Sequence, residues 1–201
     1  MRVANESAFW RIVRTDSYRY GNGVSLGALV RLYWSVPGFR YTFWMRLANY
    51  TRRTSLIWRP WHYVIRVILH WQSVKYGVSI PYNTRIGPGL YIGHFGGIVV
   101  NNLVVIGRDC NINHGVTIGV KYGGKNPGTP VIGDRVFLGS GCVIIGGIKI
   151  GNDAAVGPNA VVVESVPESG VVTGVAANLV SSNGSSEYVI NTGFEEVQKP
   201  Q

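Results

Sequence analysis

Cysteine is scarce in this sequence, which holds only Cys110 and Cys142 among its 201 residues. A disulfide framework or a site with several thiolate ligands needs more cysteines, so these two alone can assemble neither. Charged residues are also few, at 14%, whereas hydrophobic residues make up 46%. This balance is typical of a folded globular chain, and the 27 glycines therefore indicate tight turns rather than disorder.

Long apolar runs are absent as well. No stretch of about 18 apolar residues is available to cross a bilayer, and the opening segment MRVANESAFWR lacks the apolar centre of a signal peptide. No motif that reads nucleic acid is recognisable, so we expect no nucleic-acid partner. Together these absences predict a cytoplasmic protein.

Acidic residues are nearly missing from the first part of the chain. Residues 1–75 hold 12 Lys and Arg against 2 Asp and Glu, whereas residues 76–201 hold 7 against 8, and all six tryptophans lie in the first part. A basic, aromatic segment predicts peripheral contact with the inner face of a membrane, where anionic lipids attract Arg and Lys. The alternative is that the aromatic residues form a core and the arginines are solvated.

An aliphatic residue returns every six positions from Ile80 onward. The thirteen positions are Ile80, Ile86, Ile92, Ile98, Ile106, Ile112, Ile118, Ile132, Leu138, Ile144, Ile150, Val156 and Val162. The count slips by two between Ile98 and Ile106, and the glycine-rich loop 119–131 interrupts it once. A period of six fits neither an amphipathic helix nor one alternating strand. It predicts a mainly β fold, a parallel β-helix with three short strands in each coil and the repeated aliphatic residue pointing inward.

The residues before the repeat show the spacing of amphipathic helices. Large apolar residues recur at helical intervals in three segments, which are 26–36, 39–53 and 59–77. Pro37-Gly38 separates the first two segments, and Gly77 is placed to end the third. We expect a small helical domain that covers the exposed edge of the first coil.

The chain is thus predicted to have two domains and a tail. The basic helical cap spans residues 1–76, and the β-helix spans residues 77–180 with its loop at 119–131. The polar stretch 181–201 is expected to be loose.

Two of the four histidines fall inside the repeat. His94 and His114 each stand two residues after an aliphatic position, and one coil separates them. We therefore expect both imidazoles at one corner of the β-helix, stacked at about 4.8 Å, the spacing of neighbouring strands. Ser140 occupies the same place one coil further on, and loop 119–131 leaves the chain between the two levels.

A stacked imidazole pair beside a loop predicts a catalytic cleft. Imidazole is the usual general base near neutral pH, so His94 is assigned to take the proton from an acceptor hydroxyl that attacks a thioester. Backbone N–H groups near Gly96–Gly97 or Gly119 are candidates to stabilise the oxyanion. Two other interpretations stay open: both histidines are plain surface residues, or they bind zinc with a third ligand that the repeat does not supply.

Several stretches resemble a known family. VSIPYNTRIGPGLYIGHFGGIVV, INHGVTIG and VIGDRVFLGSGCVIIGGIKIGNDAAVGPNAVV resemble the serine O-acetyltransferase branch of the hexapeptide acyltransferases, as do PGFRYTFWMRLANY upstream and VTGVAANLV downstream. The resemblance implies a left-handed β-helix, a homotrimer that can pair into hexamers, and acetyl-CoA bound in grooves between subunits, with no metal. It places the catalytic histidine on His94 and the residues lining the coenzyme A groove on Gly119, Val120 and Ser140.

The resemblance fails at the positions that recognise serine. Gly93 stands where the family has an Asp before the catalytic histidine, and Ser79 stands where an Asp orients that histidine. Gly128-Thr129 replaces the Arg-His pair that holds the serine carboxylate, and only Asp16 matches an acidic residue facing the serine site. Because a carboxylate needs a paired cation, these substitutions predict a neutral acceptor.

We therefore predict an acetyl-CoA-dependent O-acetyltransferase that modifies a sugar hydroxyl in bacterial surface polysaccharide biosynthesis, on a saccharide that is free, nucleotide-linked or lipid-linked. His94 is the base, His114 contacts the acceptor or shares proton transfer, and Asp16, Ser79 and Gly93 line the acceptor site. One alternative is a serine O-acetyltransferase of cysteine biosynthesis. The other is a β-helix protein that does not acetylate, either a zinc hydratase or a scaffold.

Overall fold

Helices form the first part of the structure. The computed structural model describes residues 7–21, 23–52, 59–175, 178–186 and 188–193. The helices within these ranges are α1 (Ala8–Tyr18), α2 (Leu26–Ser35), α3 (Pro37–Thr51) and α4 (Arg59–Tyr76). Across the described ranges, no helix has the length and apolar character that crossing a membrane requires.

Fifteen short strands follow within the described ranges and form three walls. They are β1 (Val78–Ser79), β2 (Arg85–Ile86), β3 (Tyr91–Ile92), β4 (Ile98–Val100), β5 (Val105–Ile106), β6 (Asn111–Ile112), β7 (Thr117–Gly119), β8 (Val131–Ile132), β9 (Phe137–Leu138), β10 (Val143–Ile145), β11 (Lys149–Ile150), β12 (Ala155–Val156), β13 (Val161–Val162), β14 (Val171–Thr173) and β15 (Asn178–Ser181). The first wall has the order β1-β4-β7-β10-β13, the second β11-β8-β5-β2, and the third β15-β14-β12-β9-β6-β3. As far as β14 the chain therefore visits the three walls in turn, as the period of six predicts, and β15 then pairs antiparallel with β14.

The inward column of aliphatic residues is confirmed by the strand register. In the third wall Ile92 lies opposite Ile112, which in turn lies opposite Leu138. All three side chains are fully buried inside the coil. Removing each from water contributes about 1.5–3 kcal/mol, so the repeat itself supplies the core of the domain.

The slip of two residues in the repeat is absorbed within β4. Ile98 lies opposite Val78 on one side, whereas Val100 lies opposite Ile118 on the other. Both Ile98 and Val100 are buried, and Val99 between them faces outward. Because side chains alternate along a strand, two extra residues leave the inward column intact.

The cap is fixed to the first coil by contacts with its backbone. The hydroxyl of Tyr41 on α3 donates to the Ile80 carbonyl at 2.9 Å and accepts from the Ile80 N–H at 3.1 Å. Burial raises the pKa of Tyr41 to about 12, so this hydroxyl keeps its proton. Gly38 lies against β3, where a Cβ would stand 2.1 Å from the Ile92 carbonyl oxygen. Only glycine permits this approach of α3 to the wall.

The three predicted helices correspond to α2, α3 and α4. Pro37 is the first residue of α3, a position for which its fixed φ is suited. Gly77, with a φ of 60°, follows the end of α4 as predicted. Helix α1 is not predicted by the spacing of large apolar residues, and its polar segment around Asp16 becomes buried against the β-helix.

The end of the chain packs against the third wall. The prediction of a loose tail from residue 181 is wrong for the described residues as far as 193. The ring of Tyr188 stacks on Phe137 with centroids 4.7 Å apart, and Asn191 donates to the Arg19 carbonyl at 3.4 Å. Polar side chains hold this segment through hydrogen bonds to the backbone, a contact that hydropathy does not reveal. The predicted tail beyond residue 193 lies outside the described residues.

The two cysteines are core residues. Cys110 and Cys142 are both buried, and they belong to the same apolar core as the repeated aliphatic residues. Burial raises the pKa of each thiol to about 12. Each therefore remains an uncharged thiol that fills space.

Candidate functional site

The histidine pair stands on one open edge of the β-helix. His94 follows β3 and His114 follows β6, and these strands are paired so that Ile92 lies opposite Ile112. The two imidazole rings have centroids 6.0 Å apart and planes at 79° to each other. Both residues are exposed on the single chain. The spacing in the sequence thus brings the two rings together as expected.

The corner that carries the histidines has a fixed backbone. Gly115 has a φ of 73°, and its N–H donates to the Gly96 carbonyl of the preceding coil at 2.7 Å. The His114 carbonyl accepts from the Gly141 N–H of the following coil at 2.9 Å. A Cβ at Gly115 would stand 3.1 Å from the Gly141 Cα, so glycine lets the coils stack closely here. The stacked backbone therefore sets the direction in which His114 projects.

Ser140 extends the column by one coil. Its hydroxyl oxygen lies 3.4 Å from Nδ1 of His114, and which atom donates depends on the imidazole tautomer. The order along the edge is therefore His94, His114 and Ser140. This contact can fix the ring of His114 in one orientation.

The outward face of the first wall lies beside the histidine column, and we call the part of it between that column and the loop after Val120 the groove. Its floor includes Thr117 opposite Val143 and Gly119 opposite Ile145. Gly119 contributes no side chain, and a Cβ there would meet only Ile145 Cγ1, at 3.7 Å. The wall is consequently open at Gly119, and a ligand can approach the backbone closely.

The loop after Val120 closes the far side of this groove. Lys121 and Gly128 exchange two backbone hydrogen bonds, at 2.9 and 2.8 Å, which close the loop as a hairpin. Lys125 pairs with Glu164 of a later coil at 2.7 Å and holds the pKa of that carboxyl below its usual value. The groove thus lies between a column of imidazoles and a tethered loop.

Gly93 adjoins the histidine and faces an aromatic side chain. A Cβ at Gly93 would stand 2.8 Å from Cε1 and 3.1 Å from the hydroxyl oxygen of Tyr91. The ring of Tyr91 packs against that of Tyr20 with centroids 4.6 Å apart. The hydroxyl of Tyr20 in turn bonds the Ile92 N–H and carbonyl, at 3.2 and 3.3 Å. The phenol of Tyr91 therefore fills the place into which a side chain at position 93 would project.

Asp16 does not face the site in this structure. Its carboxylate is buried and accepts hydrogen bonds from the Arg46 guanidinium at 3.0 and 3.2 Å. The same carboxylate accepts from the N–H groups of Gly89 and Leu90, at 2.8 and 2.9 Å. With both oxygens engaged, Asp16 joins the cap to the β-helix. The expected acceptor contact is replaced by a structural role, because α1 docks with this side chain inward.

Ser79 also lies away from the histidine corner. It projects outward from β1 beside Val99, part-way along the first wall. Its neighbours include His70 and Arg66 of α4, with which it lines a separate cavity of about 210 Å³. The structure therefore does not bring Ser79 to His94 within one chain.

Tyr91 and Tyr20 are candidate site residues that the six-residue repeat does not identify. The position of Tyr91 before an inward aliphatic residue shows only that it faces outward. Its contact with Gly93 depends on Tyr20, which comes from the cap and is distant in sequence.

As for the zinc alternative, the described part of the chain contains no group of three His, Cys, Asp or Glu placed to hold a metal ion.

Comparisons with known proteins identify the family. Residues 129–163 match the family described as bacterial transferase hexapeptide (six repeats). The serine acetyltransferase of Mycobacterium tuberculosis is 36% identical over 150 residues, which cover 73% of this chain and 62% of that enzyme. The serine acetyltransferase of Helicobacter pylori strain J99 is 31% identical over 147 residues, which cover 73% of this chain and 83% of that enzyme. This chain thus spans less than two thirds of the first enzyme.

Solved structures give the same result. The serine acetyltransferase of Neisseria gonorrhoeae in complex with serine has a TM-score of 0.69 and 29% identity, covering 86% of this chain and 69% of that one. The enzyme of Brucella abortus strain S19 in complex with coenzyme A has a TM-score of 0.71 and 26% identity, covering 87% and 68%. With the matched repeat, these neighbours support left-handed winding of the β-helix.

One prediction is overturned by these relatives. A sugar acceptor in polysaccharide biosynthesis is wrong, because the similar proteins are serine acetyltransferases in sequence and in structure. The substitutions at Ser79, Gly93 and 128–129 therefore do not carry the prediction of a sugar acceptor. The repeat, the helical cap and the shared sequence together show that this chain belongs to the serine acetyltransferase family.

Proposed function

We propose that this protein transfers the acetyl group of acetyl-CoA to the hydroxyl of serine, giving O-acetylserine and free coenzyme A. The observation that carries the proposal is the pairing of His94 with His114 on an open edge beside a groove. The family supplies the two substrates, since relatives are serine acetyltransferases and solved neighbours hold serine or coenzyme A. The exposed histidine pair supports a general base at this edge, beside a face on which both substrates could meet.

His94 is the general base of this proposal. Its neutral imidazole takes the proton from the serine hydroxyl while the hydroxyl oxygen attacks the thioester carbonyl carbon. A C–O bond forms, and the carbonyl becomes a tetrahedral oxyanion. Collapse of this intermediate breaks the C–S bond, and the imidazolium returns the proton to the departing thiolate. Protons and electron pairs balance without another reactant.

The oxyanion needs hydrogen-bond donors close to His94. The Gly96–Gly97 corner follows His94 directly and is fixed by the hydrogen bond from Gly115 to Gly96. Backbone N–H groups held in this way stabilise developing charge without reorganising during the reaction. We assign this role to the Gly96–Gly97 corner, with Gly119 as the second candidate.

The groove along the first wall is the proposed place for the pantetheine arm. Gly119 leaves the floor open, Val120 begins the loop that borders it, and Ser140 stands on the opposite border. An extended thioester lying here would point its acetyl end toward the histidine column. These three residues are therefore proposed to contact coenzyme A.

Tyr91 is proposed to contact the acceptor together with Gly93. Its phenol occupies the space beside His94 where the resemblance places an Asp side chain. A phenol hydroxyl both donates and accepts hydrogen bonds, so it can bind the serine ammonium or carboxylate group. This contact offers a physical reason why serine is accepted without that carboxylate. Asp16 and Ser79 are not assigned to the acceptor site, because Asp16 is buried in its ion pair with Arg46 and Ser79 lies beside α4, away from the histidine corner.

We propose a homotrimer that encloses this groove, as the resemblance implies, with pairing of two trimers as a further option. Exposed apolar side chains on the β-helix support an interface, including Val99, Leu103 and Val131.

We also propose that the cap brings the enzyme to a membrane surface, which its basic and aromatic composition supports.

The test of the function is product formation from defined substrates. Purified protein is incubated with acetyl-CoA and serine, and mass spectrometry detects O-acetylserine while thiol release measures coenzyme A. We expect thiol release with serine to be at least about tenfold faster than without an acceptor, because coenzyme A leaves at an enzymatic rate only when serine takes the acetyl group. Thiol release that is indifferent to serine, or preferential acetylation of another hydroxyl compound, would overturn the proposal.

A further inference from the structure

Helix α4 is apolar on the side that faces away from the protein. Leu69 and Tyr76 are buried against the core. On the opposite side, at intervals of three and four residues, stand Val64, Val67, Trp71 and Val74, which are 49%, 69%, 58% and 71% exposed. We call these four residues the outer α4 face. A helix on a protein surface normally carries polar residues there, so this face is suited to a partner.

The charge around the outer α4 face has one sign. Arg59, Arg66 and Lys75 are exposed on α4, and the helix contains no acidic residue. Lys75 Nζ lies 4.8 Å from the centre of the Trp71 ring. Within the described part of the cap, the acidic side chain is Asp16, which is buried in its ion pair with Arg46. The surface around the apolar stripe is therefore positively charged.

A second exposed apolar stripe lies on α2. Leu26, Val30 and Trp34, spaced one helical turn apart, are 73%, 51% and 71% exposed. Arg40 connects the ends of the two helices, because it donates to the Trp34 carbonyl at 2.6 Å and to the Tyr76 hydroxyl at 2.8 Å. Two helices thus present exposed tryptophans and arginines toward the same end of the cap.

From these observations we infer that the outer α4 face binds the surface of an anionic lipid bilayer. Apolar side chains between cations insert into the headgroup region while Arg and Lys meet lipid phosphates. Tryptophan is suited to this interface, because its ring is apolar and its N–H stays near water. No helix among the described residues spans a membrane, so the protein would lie on the bilayer.

A second copy of this chain is a poorer occupant of the same face. Two α4 helices packed together would bring Arg59, Arg66 and Lys75 of one copy near the same cations of the other. Like charges at such a seam oppose pairing, and no acid on α4 offsets them. The anionic bilayer is the partner whose charge matches. The inference rests on the proposed membrane contact and does not depend on which acceptor is acetylated.

Vesicle binding tests the inference directly. The full-length protein is sedimented with vesicles of phosphatidylcholine alone and with vesicles that also contain phosphatidylglycerol. We expect binding only to the anionic vesicles, weakening as salt is raised because exposed charges are screened. Tryptophan emission should shift to shorter wavelength on binding, since all six tryptophans precede residue 76.

Matched variants locate the surface. The double variant Val67→Ser with Trp71→Ser should lose roughly tenfold or more of the binding, because it removes two inserted side chains. The control variant Leu179→Ser with Ile190→Ser changes exposed apolar residues outside the cap and the proposed site, which are 52% and 59% exposed, and should bind as the parent does. Both variants should keep the parent's rate of acetyl transfer in buffer without vesicles.

Three outcomes would overturn the inference. The first is a parent protein that ignores anionic vesicles, and the second is a stripe variant that binds as well as the parent. The third is a smaller particle mass in light scattering for the Val67→Ser, Trp71→Ser variant than for the parent. That result would make the outer α4 face an interface between copies of the chain. A protein that binds vesicles but fails to acetylate serine would leave this inference standing and remove the proposed function.

Discussion

The imidazole of His114 lies nearly edge-on to that of His94 at a centroid distance of 6.0 Å, one coil further along the β-helix. This relationship gives the base a polar neighbour that is itself 3.4 Å from the Ser140 hydroxyl. A proton or an acceptor bound at His94 would therefore be within reach of His114. The roles proposed for the two rings differ, with His94 as the base and His114 as its neighbour.

Replacing His114 with alanine should reduce acetyl transfer only in part. The change removes one polar contact near the acceptor, a contribution of about 1 kcal/mol, so kcat/KM should fall roughly fivefold to tenfold. Initial rates with varied serine measure the effect, and Ser140→Ala serves as a comparison that should alter KM for acetyl-CoA instead. An unchanged rate would return His114 to an ordinary surface residue.

Gly93 and Tyr91 should behave as a coupled pair. Gly93→Asp alone is expected to lower activity, since the new side chain must displace the Tyr91 ring that packs on Tyr20. Combining it with Tyr91→Ala makes room for the carboxylate and should restore part of the lost rate. Tyr91→Phe keeps the ring but removes the hydroxyl, and should raise KM for serine. If Gly93→Asp and Tyr91→Ala had strictly additive effects on the rate, the side chains at positions 93 and 91 would not compete for the same space.

A side chain at Gly119 should obstruct the coenzyme A groove. In Gly119→Val the new Cβ meets only Ile145 Cγ1 at 3.7 Å, so the fold should keep its melting temperature. The valine would nonetheless project into the groove and raise KM for acetyl-CoA by roughly tenfold, about 1.4 kcal/mol. Gly123→Val is the control, because that loop glycine has nothing within 4 Å of a Cβ. Equal KM values in the two variants would place coenzyme A elsewhere.

The ion pair of Asp16 with Arg46 should be a major source of stability for the cap. Asp16→Asn leaves the buried guanidinium without a counter-charge, so the free energy of unfolding should fall by about 3–5 kcal/mol. Denaturant titration followed by circular dichroism measures the change. Asp153→Asn breaks the partly exposed pair with Arg135 and should cost at most about 1 kcal/mol. Similar losses in both variants would mean that the buried pair contributes little.

The sequence predicts the β-helix and the histidine column because the period repeats one local geometry. Once Ile92 and Ile112 point inward in neighbouring strands, residues two positions later must share a corner, and His94 and His114 are those residues. No long-range information is needed for this step. The same holds for Ser140 and for the exit of the loop at Gly119.

The remaining features depend on contacts between distant segments, which the period does not encode. Asp16 resembles a residue that faces an acceptor, yet the docking of α1 turns it toward Arg46 and the N–H groups of Gly89 and Leu90. Tyr91 contacts Gly93 because Tyr20 supports its ring. The acceptor was predicted wrongly for a related reason. The absence of charged groups predicts the loss of serine recognition only when no other side chain occupies their place, and the ring of Tyr91 fills the space beside Gly93.

The most direct test of the whole account is the rate of acetyl transfer to serine by His94→Ala. The account predicts that kcat falls by roughly 10² to 10⁴, the usual contribution of a general base, while acetyl-CoA still binds and the melting temperature is unchanged. The comparison protein is His70→Ala, which changes an exposed histidine of α4 outside the proposed site and should retain full activity. A His94→Ala enzyme that acetylates serine within a factor of about three of the parent would show that the imidazole edge is not where the chemistry occurs.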